Sequence, residues 1–403
     1  MRAPFFFPAG PLRSDYQAHA AQLAANNPER FSSNVSGQRG SAVWDGNTRM
    51  DVSVCALGSE HTDTGTVSGG GQRASGAGRA DGGHVGTVGG RDVNGAPRFD
   101  QQVASGGYLW WYVDALSDDG NYGLSIIAFV GSVFSPYYRS ALKRGPADPE
   151  NYCSLNVALY GRNRRWTMTE RGRRSIARDA HNFTIGPSSL QWHGDHLEID
   201  ICEIGVPIPF SVRGKVRVYP ESLSTFCTAL DSDGRHRWGP LAPCARVEVD
   251  LEKPNQRWKG HAYLDSNEGD EPISEPFKEW DWSRATLADG STAVIYDVQK
   301  KQGDDRLIGV RFAQDGTIEE FIPPPRQDLE LTGWRIPRRM RSEGDAPVQV
   351  IDMLEDTPFY ERSVLKSRLF GQDVISVHET LNVPRLVSPI VQRMLPFRMP
   401  RLG

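Results

Sequence analysis

The chain has 403 residues, 38% of them hydrophobic, a formal net charge of −4 and a mean hydropathy of −0.48. That length allows two or three domains, the charge argues against a general nucleic-acid binder, and no apolar run approaches the ~18 residues of a membrane-spanning helix. Met1 to Leu12 holds Phe5-Phe6-Phe7 but neither a long apolar stretch nor a small-residue cleavage site, so it does not read as a signal peptide. The five cysteines (Cys55, Cys153, Cys202, Cys227, Cys244) are widely spaced, with no CxxC. This is the pattern of free thiols in a reducing compartment, not of a disulfide framework or zinc site.

Residues 1–98 differ from the rest. Thr64 to Asp92 is dominated by glycine, with Ser, Thr, Arg and Asp between. Such a segment buries too little apolar area to offset its ordering entropy, and it reads as a flexible leader. A phosphate-cradling loop would need a flanking strand and helix, and no GxxxxGK[ST] occurs.

Order is expected from Phe99. Gly107 to Asp114 reads as an aromatic strand, Ser117-Asp118-Asp119-Gly120 as a turn, and Tyr122 to Val130 as the returning strand. Residues 136–144 fit a short helix. Strands are further expected over 154–160, 165–169, 189–193, 196–202, 215–219, 245–251 and 258–265. A break near Trp280 is followed by strands over 293–298, 307–312, 318–321, 348–354 and 374–380. Most are separated by Gly, Asp, Asn or Pro turns. The pattern is all-β and too long for one barrel, so residues 99–278 and 279–384 are expected to form two successive units. Residues 385–403 form an apolar tail studded with Arg393, Arg398 and Arg401, in which Pro389, Pro396 and Pro400 limit any helix to a turn or two. It can lie in a membrane interface beside anionic headgroups or pack on the barrel.

Trp192 to Asp200 contains His193, His196 and three carboxylates, residue types that ligate metals. Gly194-Asp195 nevertheless fits a two-residue hairpin turn between alternating strands, and the hairpin reading outweighs the metal site. No GxSxG is present, and Asp265, Glu268, Asp270 and Glu271 do not form an evident facing pair, the last three reading as solvated turn residues. Trp258 to Asp265 alternates, with Trp258, Gly260, Ala262 and Leu264 on one face and Lys259, His261, Tyr263 and Asp265 on the other. Ser266 to Asp270 has turn chemistry, so Asp265 is expected at a strand end, at the mouth of whatever the strand lines. By residue type alone His236 reads as a loop residue, Trp238 as core, Tyr263 as a rim aromatic and Asp265 as a capping carboxylate.

Several blocks in order change that weighting. Gly106 to Leu116, Gly123 to Tyr138, Leu155 to Gly161, Arg165 to Gly172, His236-Arg-Trp238, Gly260 to Gly269 and Trp280-Asp-Trp-Ser-Arg284 together resemble the carotenoid 1,2-hydratase family, also called hydroxyneurosporene synthases, over roughly 107–384. The resemblance implies two consecutive lipocalin-like β-barrels with Asp265 near their junction. It implies an acyclic carotenoid such as neurosporene or lycopene as substrate, with water added across the terminal C1–C2 double bond. It also implies His236, Trp238, Tyr263 and Asp265 as the catalytic set. Protonating C2 places positive charge on the tertiary C1, so Asp265 is the candidate acid, and Trp238 and Tyr263 are candidate stabilisers of the cation. His236 is a candidate to orient Asp265, supply its proton or deprotonate the attacking water. No metal, nucleotide or redox cofactor is expected. Peripheral association with the cytoplasmic side of the inner or photosynthetic membrane is expected, and other carotenoid-pathway enzymes are candidate partners. Two rival readings use the same barrels: a non-catalytic carrier of an apolar ligand, and a hydrolase.

Overall fold

The computed structural model describes residues 89–402, so the leader expected over residues 1–98 lies, up to residue 88, outside the described residues. Order starts earlier than Phe99. Arg91 bridges to Pro97, and its guanidinium donates to the carbonyls of Ser224 (3.0 Å) and Phe226 (2.9 Å), which anchors this stretch against the sheet.

The all-β expectation holds. A 13-stranded sheet takes in the strands between Tyr108 and Gly269 together with Arg401–Leu402. A 7-stranded sheet and a two-stranded ribbon are drawn from residues between Phe277 and Asn382. Pairing is antiparallel except where Arg401–Leu402 runs parallel to Arg165–Arg171. Six strands build the site. Three belong to the first sheet: β1 (Tyr108–Ser117), β2 (His236–Lys253) and β3 (Gln256–Gly269), with β3 between the other two. Three belong to the second: β4 (Phe277–Thr286), β5 (Tyr360–Leu369) and β6 (Gln372–Asn382), with β6 between the other two.

Period-two alternation explains the layering. The first sheet curls so that Leu109, Trp111 and Val113 of β1, Ala262 and Leu264 of β3, and side chains as distant as Leu155 and Ile199 share one core. The alternate residues of the same strands, Tyr108, Trp110 and Tyr112 of β1 and Tyr263 of β3, face the second sheet. There they pack in another cluster with Trp280, Trp282, Tyr296 and Val377. β1 is therefore buried on both faces, which is why it reads as a nearly unbroken apolar run.

Three expectations are corrected. Ser266 to Glu268 do not form a turn; β3 runs on to Gly269, with Asn267 paired to Trp110 on one side and Trp238 on the other. Backbone partners on both flanks override the turn preference of these residues. Glu268, expected in solvent, is buried between Arg237 and Gln101. Trp280 does not mark the divide, since it lies mid-strand in β4, and the chain passes between sheets over residues 270–276. Tyr360–Leu369, which alternates weakly and carries Arg362, Lys366 and Arg368, had not stood out as a strand.

Pro136–Leu142 forms the short helix, capped by Ser135. Gly194-Asp195 turns the expected hairpin, with the His193 amide donating to the His196 carbonyl at 2.9 Å. Ligand atoms of His193, His196 and Glu198 do lie within 4.8 Å of one another, but Glu198 is already held by Lys215 and Arg217. The tail packs on the protein as two short helices, Val383–Leu386 and Pro389–Met394, before its final strand. The described cysteines Cys153, Cys202, Cys227 and Cys244 are free thiols.

Candidate active site

A cavity of about 950 Å³ lies between the two sheets. Its volume is at the upper end of those that hold small ligands, and its wall is largely apolar and rich in aromatic side chains. β1 supplies Trp110 and Tyr112, β2 supplies Trp238, β3 supplies Asp265 and Asn267, β4 supplies Trp280 and Trp282, and β6 supplies Glu379 and Leu381. Val391, Met394, Leu395 and Met399 of the C-terminal arm line another part, beside Trp334 and Phe359.

Asp265 is the buried carboxyl on the first-sheet side. Its Oδ2 accepts from Trp238 Nε1 at 2.8 Å and from the Tyr263 hydroxyl at 2.9 Å. Its Oδ1 has no hydrogen-bond partner. Burial disfavours the anion and pushes the carboxyl up to about 7, against the lowering effect of the Trp238 and Tyr263 donors. With both donors on Oδ2, the proton of the neutral acid must sit on Oδ1. In its protonated form this carboxyl, which lines the cavity, carries its O–H on the oxygen that no donor holds.

The four residues expected to form the site separate into two groups. Trp238, Tyr263 and Asp265 are joined by hydrogen bonds. Trp238 also lines the cavity, whereas Tyr263 stands behind Asp265, fully buried. His236 is not an exposed loop residue: it opens β2 with no solvent exposure. It shares a 2.9 Å hydrogen bond through Nδ1 with the Tyr108 hydroxyl, and its ring meets Phe277 edge-on at 4.8 Å. Register explains the separation, because His236 pairs with Gly269 while Asp265 pairs with Pro240 four positions along. Gly269 is required for this contact. A β-carbon there would come within 2.4 Å of the Tyr108 ring and 2.7 Å of His236 Nδ1. Among the described residues no hydrogen bond links His236 to Asp265. Instead His236 holds Tyr108, which stacks on the cavity residue Trp110 at 4.9 Å. Burial lowers the pKa of His236 and favours its neutral form.

Polar ties join the sheets at and behind the cavity wall. Arg284 of β4 binds Asp114 of β1, with Nε 2.6 Å from Oδ1, both side chains buried. Arg362 of β5 donates to the Tyr112 hydroxyl at 2.5 Å and pairs with Glu379 of β6. Sequence reasoning did not single out Trp110, Tyr112, Trp282 or Glu379 as site residues. A signal was present in Trp110/Tyr112 and Trp280/Trp282, two pairs of aromatics spaced by two. Nothing in one sequence says that the two pairs face each other.

The carotenoid hydratase CrtC family model matches residues 126–403. The chain is 60% identical over 370 residues to an acyclic carotenoid 1,2-hydratase of Rubrivivax gelatinosus, covering 91% of each chain. It is 52% identical over 360 residues to one of Thiocapsa roseopersicina, covering 89% of each. For one from Cereibacter sphaeroides the identity is 39%, and the match covers 68% of this chain and 98% of that relative. A crystal structure from Nitrosomonas europaea assigned to AttH is 15% identical, covers 68% of this chain and 92% of its own, and superposes with a TM-score of 0.48. The chain belongs to the carotenoid hydratase CrtC family.

Proposed function

We propose that this protein is an acyclic carotenoid 1,2-hydratase in which Asp265 is the acid that starts the reaction. The observation that carries this assignment is the asymmetry of the Asp265 carboxyl: Oδ2 is tied by two donors, and Oδ1 is unpartnered in an apolar cavity.

An isolated trisubstituted alkene is a weak base, so its hydration needs a strong proton donor aimed at carbon. Asp265 Oδ1 gives its proton to C2, the π electrons form the new C–H bond, and positive charge appears on the tertiary C1. The Trp238 and Tyr263 donors then stabilise the carboxylate left behind. Trp238, Trp280 and Trp282 present π faces to the cation, each worth ~0.5–2 kcal/mol or more in a desolvated site, and carry no nucleophile that would trap it. Tyr263 acts through Asp265 in this scheme. Water adds to C1 and loses a proton, leaving a tertiary alcohol.

The same reading brings the chain to a membrane surface, peripherally and from the cytoplasmic side, because the substrate resides in lipid. Ile390 and Phe397 are exposed on the arm whose neighbours Val391, Met394 and Leu395 line the cavity, and Arg393 lies between them. Ile390→Ser with Phe397→Ser is expected to reduce co-sedimentation with anionic vesicles. Unchanged partitioning removes the arm from the contact.

Incubation of pure protein with lycopene and water, without added cofactor, tests the function and separates it from a carrier. Hydrated product is expected from the native protein, and at least about 1,000-fold less from folded Asp265→Asn, which lacks the acid. Near-normal hydration by Asp265→Asn removes Asp265 from this role.

A further inference from the structure

Hydration also requires that the attacking water lose a proton, and Asp265 and His236 leave that step unassigned. Glu379 lies in β6 of the opposite sheet, where it pairs with Trp282, and it lines the same cavity. Its hydrogen bonds converge on one oxygen. Oε1 faces the Tyr112 hydroxyl at 2.6 Å and the Arg362 guanidinium, and no such bond is made by Oε2 among the described residues. Tyr112 stands directly opposite Asp265 in the β1–β3 pairing, so a single tyrosine side chain reaches from the strand beside the acid's to Glu379. The negative charge of Glu379 adds to the upward push on Asp265, which places the two carboxyls within electrostatic reach.

We propose, resting on the assignment of Asp265 as the acid, that Glu379 is the general base of the hydration, holding the attacking water through Oε2 while Arg362 and Tyr112 fix Oε1. The geometry divides the labour as the chemistry requires. Of the carboxyls that line the cavity, Asp265 is buried without a cation on it and carries the proton, and Glu379 is paired with a guanidinium and can receive one. Arg362, fully buried and stacked near the Tyr112 and Tyr160 rings, cannot leave Glu379 without stranding its own charge.

The step balances. Asp265 Oδ1 delivers a proton to C2, a lone pair of water forms the C1–O bond, and the O–H electrons return to oxygen as Glu379 takes the proton. The products are the tertiary alcohol, an Asp265 carboxylate and a neutral Glu379. Proton exchange with solvent resets both groups with no other reactant consumed.

Glu379→Gln keeps shape and volume but cannot accept the proton, and Glu379→Asp keeps the charge beside Arg362. With folding checked by circular dichroism, Glu379→Gln is expected to hydrate lycopene at least about 100-fold more slowly, and Glu379→Asp to keep at least about a tenth of native activity. Azide anion supplies the distinguishing readout, because it traps a C1 cation with no proton to lose. Glu379→Gln is expected to form the tertiary azide at a rate close to native, whereas Asp265→Asn forms neither azide nor alcohol. Hydration by Glu379→Gln within about threefold of native overturns the proposal. So does joint loss of azide and water addition in folded Glu379→Gln, or failure of Glu379→Asp to retain activity, either of which makes Glu379 a structural partner of Arg362. Normal hydration by Asp265→Asn sinks the acid assignment instead, and the two failures are thereby distinguished.

Discussion

The two faces of β1 show how one strand serves two purposes. Leu109, Trp111 and Val113 enter a core of aliphatic and aromatic side chains enclosed by the curled first sheet. Tyr108, Trp110, Tyr112 and Asp114, one residue out of step, enter a space rich in Trp and Tyr that also holds Asp265, Glu379 and Arg284. The backbone and burial are shared, so the difference lies in what each face leaves unmatched. The first core is a continuous cluster of buried apolar side chains, in keeping with a role in stability. The second keeps a cavity, an unpartnered carboxyl oxygen and charges tied in pairs, features that cost stability and serve chemistry.

Substitutions on the two faces should therefore act on different observables. Leu109→Ala, on the closed face, is expected to destabilise the fold by about 2–5 kcal/mol in denaturant unfolding, while the folded fraction keeps most of its hydration rate. A loss of rate without loss of stability would erase the contrast.

Asp265→Asn should do the opposite. The folded carboxyl is held up at about 7 against an ordinary 3.8. The stabilising preference for the protonated form is fully present below the unfolded value and is lost as pH rises through the folded one. Above that window the native protein bears the cost of a buried anion, on the order of 4 kcal/mol at about 1.4 kcal/mol per pKa unit. Asn reproduces the neutral acid, with an amide oxygen for the Trp238 and Tyr263 donors. It should unfold later than the native protein at pH 9 and nearly with it at pH 3. Equal stability at both pH values would mean that Asp265 is not held neutral.

Trp282→Leu is expected to slow hydration by about 2–30-fold, the range of one desolvated cation–π contact, with little change in azide-to-water partitioning. Tyr263→Phe has the smallest effect and the most specific signature. Native activity should hold below pH 7 and fall above it as Asp265 ionises. Removing a donor that favours the anion should move that falling limb upward by about one unit. A downward movement would reverse the roles of donor and acid.

Much of this was legible in the sequence because alternation is local. Tyr263 and Asp265 were assigned to one face, and Ala262 and Leu264 to the other, from spacing alone. The resemblance carried by His236-Arg-Trp238 and the Gly260 to Gly269 block pointed to the Asp265 strand. Long-range pairing was not legible. Ser266-Asn267-Glu268 carries turn residues, and only its two flanking strands keep it extended. His236 and Trp238 share a strand face, but register places one beside Tyr108 and the other on Asp265. Glu379 lies more than a hundred residues from Asp265 and becomes its neighbour only when the second sheet closes over the first.

The most direct measurement is the protonation state of Asp265 itself, read as the infrared carboxylic-acid band in the difference between native protein and Asp265→Asn. A protonated carboxyl is expected at pH 5, titrating away with a midpoint near 7. A midpoint in the ordinary carboxylate range, or no protonated band in the difference spectrum at pH 5, would contradict it.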